Sequence, residues 1–227
     1  MASGRKVGVE KLMENLTTEP WTVPFTHKFV PVAANGVTLL LLHGTGGNEN
    51  SLLELGAELL PEANLLSPRG KVLENGMPRF FRRLSEGVFD VEDLHTRTVE
   101  LARFIREATN HYGLNPGKLV ALGYSNGANI ASSLLLTYSN LIAGAVLLRA
   151  MVPFEPSEPI SGSRSQVLLL SGDRDPLVPI HDANRLAQLL KETGAKVTHT
   201  TVHAGHSLTE PELNTAHDFL ECLATRL

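Results

Sequence analysis

Apolar residues in this chain fall into short dense runs separated by stretches with helical spacing. Val37 to Leu42 is one such run and ends at His43-Gly44. Its density suits a strand covered on both faces, because a half-exposed strand alternates apolar with polar residues. Leu119 to Tyr124, Ala143 to Leu148 and Val167 to Ser171 read the same way. Val197 to Val202 alternates, Phe25 to Val32 is a candidate first strand, and Asn64 to Ser67 is a short one. Asn35-Gly36 reads as a tight turn, since both residues tolerate positive φ.

Between these runs the period changes. Val91, Leu94, Leu101, Ile105, Ala108 and Tyr112 recur at three- and four-residue intervals, which predicts a helix over Val91 to Tyr112 capped by Gly113. Ser51 to Leu60 (stopped by Pro61), Asn126 to Tyr138, His181 to Thr193 (closed by Gly194) and Glu210 to Leu223 are further helices. Strand and helix thus alternate from Val37 to the end. That order predicts an α/β fold with a mostly parallel sheet and helices on both faces. Ligands then bind beyond the carboxyl ends of the strands.

Length and composition narrow the class. The chain has 227 residues, 42% hydrophobic and 19% charged, and carries a net charge of −4. This fits a single domain over 1–227, with 1–24 as an N-terminal extension. The mild charge and the lack of a basic run speak against nucleic acid as a partner. No stretch is long and apolar enough to span a bilayer, and charges interrupt Met1 to Pro24 too often for a secretory signal. The single cysteine, Cys222, excludes an internal disulfide framework and fits a reducing compartment. The expectation is a cytoplasmic protein.

The candidate chemistry lies after the strands. Gly123-Tyr124-Ser125-Asn126-Gly127 is a G-x-S-x-G pattern between a predicted strand and a predicted helix. There a sharp turn lifts the serine off the sheet, and small neighbours let strand and helix approach. A serine needs a base, and the base an orienting group. Asp173 and Asp175 both follow the Val167 to Ser171 strand, and His203 and His206 both follow Val197 to Val202. His206, placed between Gly205 and the last helix, can project back across the sheet top; His203 is its competitor. The loop His43-Gly44-Thr45-Gly46-Gly47 fits neither a dinucleotide nor a Walker pattern, since Glu49 stands at the third glycine position and no Lys-Ser or Lys-Thr follows. Its position suits an oxyanion loop, with the backbone amides of Thr45 and Asn126 as donors and His43 as an anchor. Histidine spacing suggests no metal, and the chemistry needs no cofactor.

These segments, with Asp175-Pro176-Leu177-Val178-Pro179 and Gly205-His206-Ser207, resemble the phospholipase/carboxylesterase family of α/β-hydrolases. That family includes acyl-protein thioesterases and small bacterial carboxylesterases. The resemblance implies Ser125 as nucleophile, Asp175 as the acid and His206 as the base, and leaves Asp173 as a structural loop residue. It implies hydrolysis of carboxylic esters, and the short chain, with no large inserted cap between Ala143 and Gly172, leads us to expect short- to medium-chain acyl groups. An acyl-thioesterase, lysophospholipase, acyltransferase or perhydrolase with the same three groups is the alternative. The segment Ser67 to Asp90 differs from the acyl-tunnel loop of the thioesterases. It looks like that of a bacterial carboxylesterase branch, some of whose members are associated with hydroquinone and catechol metabolism. Pro68 to Asp90 is expected to form a mobile pocket wall, with Gly70, Gly76 and Gly87 giving it freedom. Arg69, Phe80 and Phe81, together with Val178, are the expected substrate contacts, and at least one of Arg69, Arg79, Arg82 and Arg83 is expected to face the pocket and favour an acidic or phenolic substrate group. The expected partner is a small ester, without nucleic acid or membrane and with a homodimer left open.

Overall fold

The structure is a computed structural model that describes residues 25–158 and 160–227. The expected extension 1–24 lies outside the described residues. Eleven strands and five helices are described. Strands β1 (His27–Val30), β2 (Thr38–Leu42) and β3 (Asn64–Pro68) enclose α1 (Leu53–Leu59). Four very short strands follow: β4 (Val72–Glu74), β5 (Met77–Arg79), β6 (Arg83–Ser85) and β7 (Val88–Phe89). Then come α2 (Val91–Tyr112), β8 (Leu119–Tyr124), α3 (Asn126–Thr137), β9 (Gly144–Leu148), β10 (Gln166–Gly172), α4 (Ile180–Glu192), β11 (Lys196–Val202) and α5 (Glu210–Ala224).

Seven strands form one sheet in the order β1-β3-β2-β8-β9-β10-β11, parallel throughout except for β1 against β3. Strand parity divides the apolar residues between two cores. Leu40 and Leu42 of β2 face Leu94, Leu101 and Ile105 of α2 and the apolar residues of α3 and α4. Leu39 and Leu41 face the opposite layer, with Leu59 of α1 and Ala216 and Leu220 of α5. Both faces being covered, no position of β2 is left for a solvated side chain and even Thr38 is fully buried, which explains the dense apolar run.

The segment expected to form a pocket wall folds into two β-hairpins, β4–β5 and β6–β7. Asn75 and Gly76 (φ 51° and 80°) make the first turn and Gly87 (φ 74°) lies in the second. Gly70 serves close packing rather than freedom, since a Cβ there would lie 2.3 Å from the Arg79 carbonyl. The segment is tied at both ends. Arg69 N–H donates to Thr26 O, and the Asp90 carboxylate caps α2 through Asp93 N–H.

One buried cation joins the far side of the sheet to the loop before α5. Arg149 follows β9 in a left-handed conformation (φ 60°) and is fully buried. Its Nε donates to Gly205 O (2.8 Å), and Nη2 to Ser207 O and Glu212 Oε2 (both 2.8 Å). Nη1 donates to Glu212 Oε1 and, at 3.5 Å, to Leu170 O. All five donors of the guanidinium are therefore occupied. Glu212 also accepts from Thr209 N–H and Oγ1–H, closing the capping box of α5. Burial opposes its charge, but hydrogen bonds from Arg149 and Thr209 more than offset this, and Glu212 titrates below the ordinary glutamate range. Arg149→Met strands Glu212 as an unpaired buried charge and is expected to cost about 3–5 kcal/mol at neutral pH. A carboxyl with a depressed folded pKa stabilises above its unfolded pKa of about 4.3, and that contribution is lost as pH falls toward the folded value. The gap between wild type and mutant in urea unfolding should therefore narrow below about pH 4. A constant gap down to pH 3 contradicts this account.

Candidate active site

Ser125 stands between β8 and α3 with φ 51° and ψ −112°, a backbone conformation that side chains rarely adopt. Its N–H donates to Leu148 O on β9 (2.8 Å), pinning the turn to the sheet. The flanking glycines make the turn possible. A Cβ on Gly127 would lie 1.9 Å from Leu42 O, and one on Gly123 would lie 2.7 Å from the Ala128 Cα. The first turn of α3 starts at Asn126, so the helix directs its positive end at the serine.

His206 Nε2 is 3.0 Å from Ser125 Oγ, and His206 Nδ1 is 2.8 Å from Asp175 Oδ2. The Asp175 side chain has no exposed surface, and that of His206 retains 21%. The sequence Asp-Pro-Leu-Val explains how the carboxylate is aimed. Its Oδ1 accepts the N–H groups of Leu177 (2.8 Å) and Val178 (3.2 Å), a local turn that leaves Oδ2 for the imidazole. Arg149 Nε lies 3.8 Å from the same Oδ2, and the carbonyls it holds are those on either side of His206. Tyr124 donates its hydroxyl to His206 O at 3.1 Å. Burial raises the Tyr124 pKa and so keeps the phenol protonated for this bond.

A second acid–histidine pair sits nearby. His203 Nδ1 is 2.8 Å from Asp173 Oδ2, but both side chains are largely exposed, at 63% and 42%. The hydrogen bond to His203 lowers the Asp173 pKa. Of the two pairs, only Asp175–His206 reaches the serine.

A cavity of about 320 Å³ opens over Ser125 and His206. Thr45, Asn126 and Val178 line it, as expected from the sequence. Gly46 N–H is taken by Pro78 O and Gly47 N–H by Gly44 O, so the loop's turn is fixed around Thr45. His43 braces the loop from beneath. Its Nδ1 donates to Gly44 O (2.7 Å) and its Nε2 accepts from Gly70 N–H (2.9 Å). Burial lowers its pKa, in keeping with a neutral ring that accepts at Nε2.

Three expected substrate contacts do not reach the cavity. Phe80 and Phe81 are core residues at 2% and 0% exposure, packed on His43 and Phe89. Apolar rings in a segment without long strands are here its hydrophobic anchors. Arg69 turns to Glu49, with Nη2 2.7 Å from Oε1. Arg82 pairs with Asp90 at the surface. Arg79 and Arg83 line the cavity instead, with Tyr124, Met151 and Leu177. Arg82 lies in the link between β5 and β6, and strands of three residues offer no period that would have set it apart from Arg79 and Arg83. No cluster of metal-ligating side chains occurs among the described residues, and no helix among them is long and apolar enough to cross a membrane.

Comparison with known proteins identifies the family and the fold. The family model described as phospholipase/carboxylesterase matches residues 31–224. MhqD of Bacillus subtilis, provisionally named a hydrolase, is 48% identical over 181 residues, which cover 80% of this chain and 90% of that protein. The crystal structure of the Bacillus cereus carboxylesterase superposes with a TM-score of 0.85 at 42% identity, covering 94% of this chain and 99% of the other. The structure of YahD with malic acid superposes with a TM-score of 0.82 at 27% identity, covering 88% and 99%. The sheet and its helices are those of the α/β-hydrolase fold, and the chain belongs to the phospholipase/carboxylesterase family of hydrolases.

Proposed function

We propose that this protein is a serine carboxylesterase that hydrolyses short- to medium-chain esters through an acyl-enzyme. The observation that carries the reading is the hydrogen-bonded relay from buried Asp175 through His206 to Ser125 at the floor of an open cavity. Ser125 Oγ attacks the acyl carbon while His206 Nε2 takes its proton. The carbonyl oxygen becomes an oxyanion that accepts from the backbone amides of Thr45 and Asn126. His206 then delivers the proton to the departing alkoxide, which leaves as the alcohol. Water attacks the acyl-enzyme with His206 again as base, and the carboxylic acid and free Ser125 are restored. Asp175 fixes the tautomer that keeps Nε2 unprotonated and stabilises the imidazolium when it forms.

The size of the cavity supports small acyl groups, and so does the stretch between β9 and β10, which holds no helix or strand among the described residues to roof a lipid.

Ser125→Ala is expected to lower kcat at least about 10⁴-fold while the protein still unfolds cooperatively. Asp175→Asn should cost about 10³- to 10⁴-fold in kcat, whereas Asp173→Asn, at an exposed pair, should change it less than about threefold. Stopped assays on 4-nitrophenyl butyrate give both numbers, and the reverse order would reassign the acid.

Chain-length preference is read from kcat/KM across 4-nitrophenyl acetate to palmitate, each below its aggregation limit. The expected maximum lies at or below octanoate. A rise through palmitate removes the short-chain assignment.

A further inference from the structure

The hairpin segment places two guanidinium groups on the cavity wall with a single carboxylate between them. Arg79 is nearly inaccessible, at 3% exposure, yet lines the cavity. Its Nε donates to Phe81 O (3.1 Å) and its Nη1 to Thr45 Oγ1 (2.6 Å). Nη2 makes no hydrogen bond among the described residues. Arg83 donates through Nε to Glu74 Oε1 and Oε2 (2.9 and 3.2 Å), and neither of its Nη groups makes a hydrogen bond among the described residues. Glu74 Oε2 lies 3.3 Å from Arg79 Nε, so one carboxylate serves both cations. Glu74 itself is not part of the cavity lining; the carboxylate that is, Glu86, stands at the exposed hairpin tip and pairs with neither arginine among the described residues.

This arrangement differs from the ion pairs nearby. Arg69 and Arg82, on the same segment, have their own carboxylates, Glu49 and Asp90. Arg79 and Arg83 share one, and both border the space above Ser125. Placing a cation at 3% exposure is costly unless anions meet it. Glu74 meets it only at the Nε edge, which Arg83 also uses. The unused donor edges are suited to a second carboxylate, because planar guanidinium N–H groups pair with carboxylate oxygens in a fork.

We propose that Arg79 and Arg83 form a carboxylate subsite, and that the preferred substrates are hemiesters of small dicarboxylic acids, with the free carboxylate on the arginines and the ester carbonyl at Ser125. This rests on the esterase reading above and adds a substrate class to it. Arg79 is fixed by Phe81 O and Thr45 Oγ1 and gives the subsite its position. Arg83, held among the described residues through Nε alone, turns its remaining donors to the ligand.

The test uses monoethyl esters of succinate, glutarate and adipate against ethyl valerate, followed by proton release. Arg83→Gln and Arg79→Lys are compared with Arg82→Gln as the control outside the cavity. In parallel, calorimetry measures glutarate binding to Ser125→Ala with and without Arg83→Gln, so that binding is read without turnover. Wild type should favour at least one hemiester over ethyl valerate. Arg83→Gln should reduce that preference about tenfold, mainly through KM, as expected for loss of a charge-assisted pair. Arg82→Gln should keep it, and glutarate binding to Ser125→Ala should weaken when Arg83→Gln is added. A purely structural role for the arginines would lower both substrate classes together. Hydrolysis of ethyl valerate with no hemiester preference and no glutarate binding overturns the subsite and leaves the esterase standing. Arg83-dependent glutarate binding with no hydrolysis of any ester does the opposite.

Discussion

Five N–H groups of one buried guanidinium reach three separate parts of the chain. Arg149 sits where β9 ends, and its partners are a carbonyl at the end of β10, two carbonyls bracketing His206, and the glutamate that caps α5. A loop of this kind has no sheet ladder to fix it, and its backbone groups would otherwise need water or a different fold. Arg149 supplies those bonds from the core. The imidazole position is thus set from below, by a charge pair that is stable only when complete. Asp175 and Tyr124 then determine its orientation from the side. The relay depends on a residue that contacts neither the cavity nor Ser125.

The serine is held by a different means. Its left-handed backbone is compensated by a sheet hydrogen bond and by two glycines that permit contact between backbones. Strain at this point is tolerable because β8, β9 and α3 are buried and fix its surroundings. Base and nucleophile are therefore positioned by independent devices, one ionic and one steric, and meet at 3.0 Å.

Long elements were readable from the chain because burial on both faces leaves a dense apolar run and a long amphipathic helix leaves a three-four pattern. Val91–Tyr112 emerges with the boundaries its periodicity predicts. The hairpins were not read, because strands of two or three residues carry too few positions for any period. Asn75-Gly76 was the one local sign, a pair that favours a two-residue hairpin turn. Phe80 and Phe81 were misread for a related reason: apolar rings in a segment without evident structure suggest ligand contact, while here they plug the main core. Arg149 carried a weak signal, a lone cation closing an apolar strand, but its partner stands at Glu212 and separation in sequence hides the pair. Asp173 and His203 look as suitable as Asp175 and His206 from spacing alone, and only the fold separates an exposed pair from a buried one.

The hairpin segment occupies a single contiguous stretch between β3 and α2, outside the seven-stranded sheet. It enters through a backbone bond to Thr26 and leaves through the cap of α2, with Phe80 and Phe81 as its plugs in the core. Everything it presents to the cavity comes from turns and short strands between those anchors. Such a stretch behaves as an exchangeable cassette. A lineage could replace the arginine-bearing wall by recombination or insertion, keep the two phenylalanines and both ends, and acquire a new substrate repertoire without rebuilding the machinery beneath it.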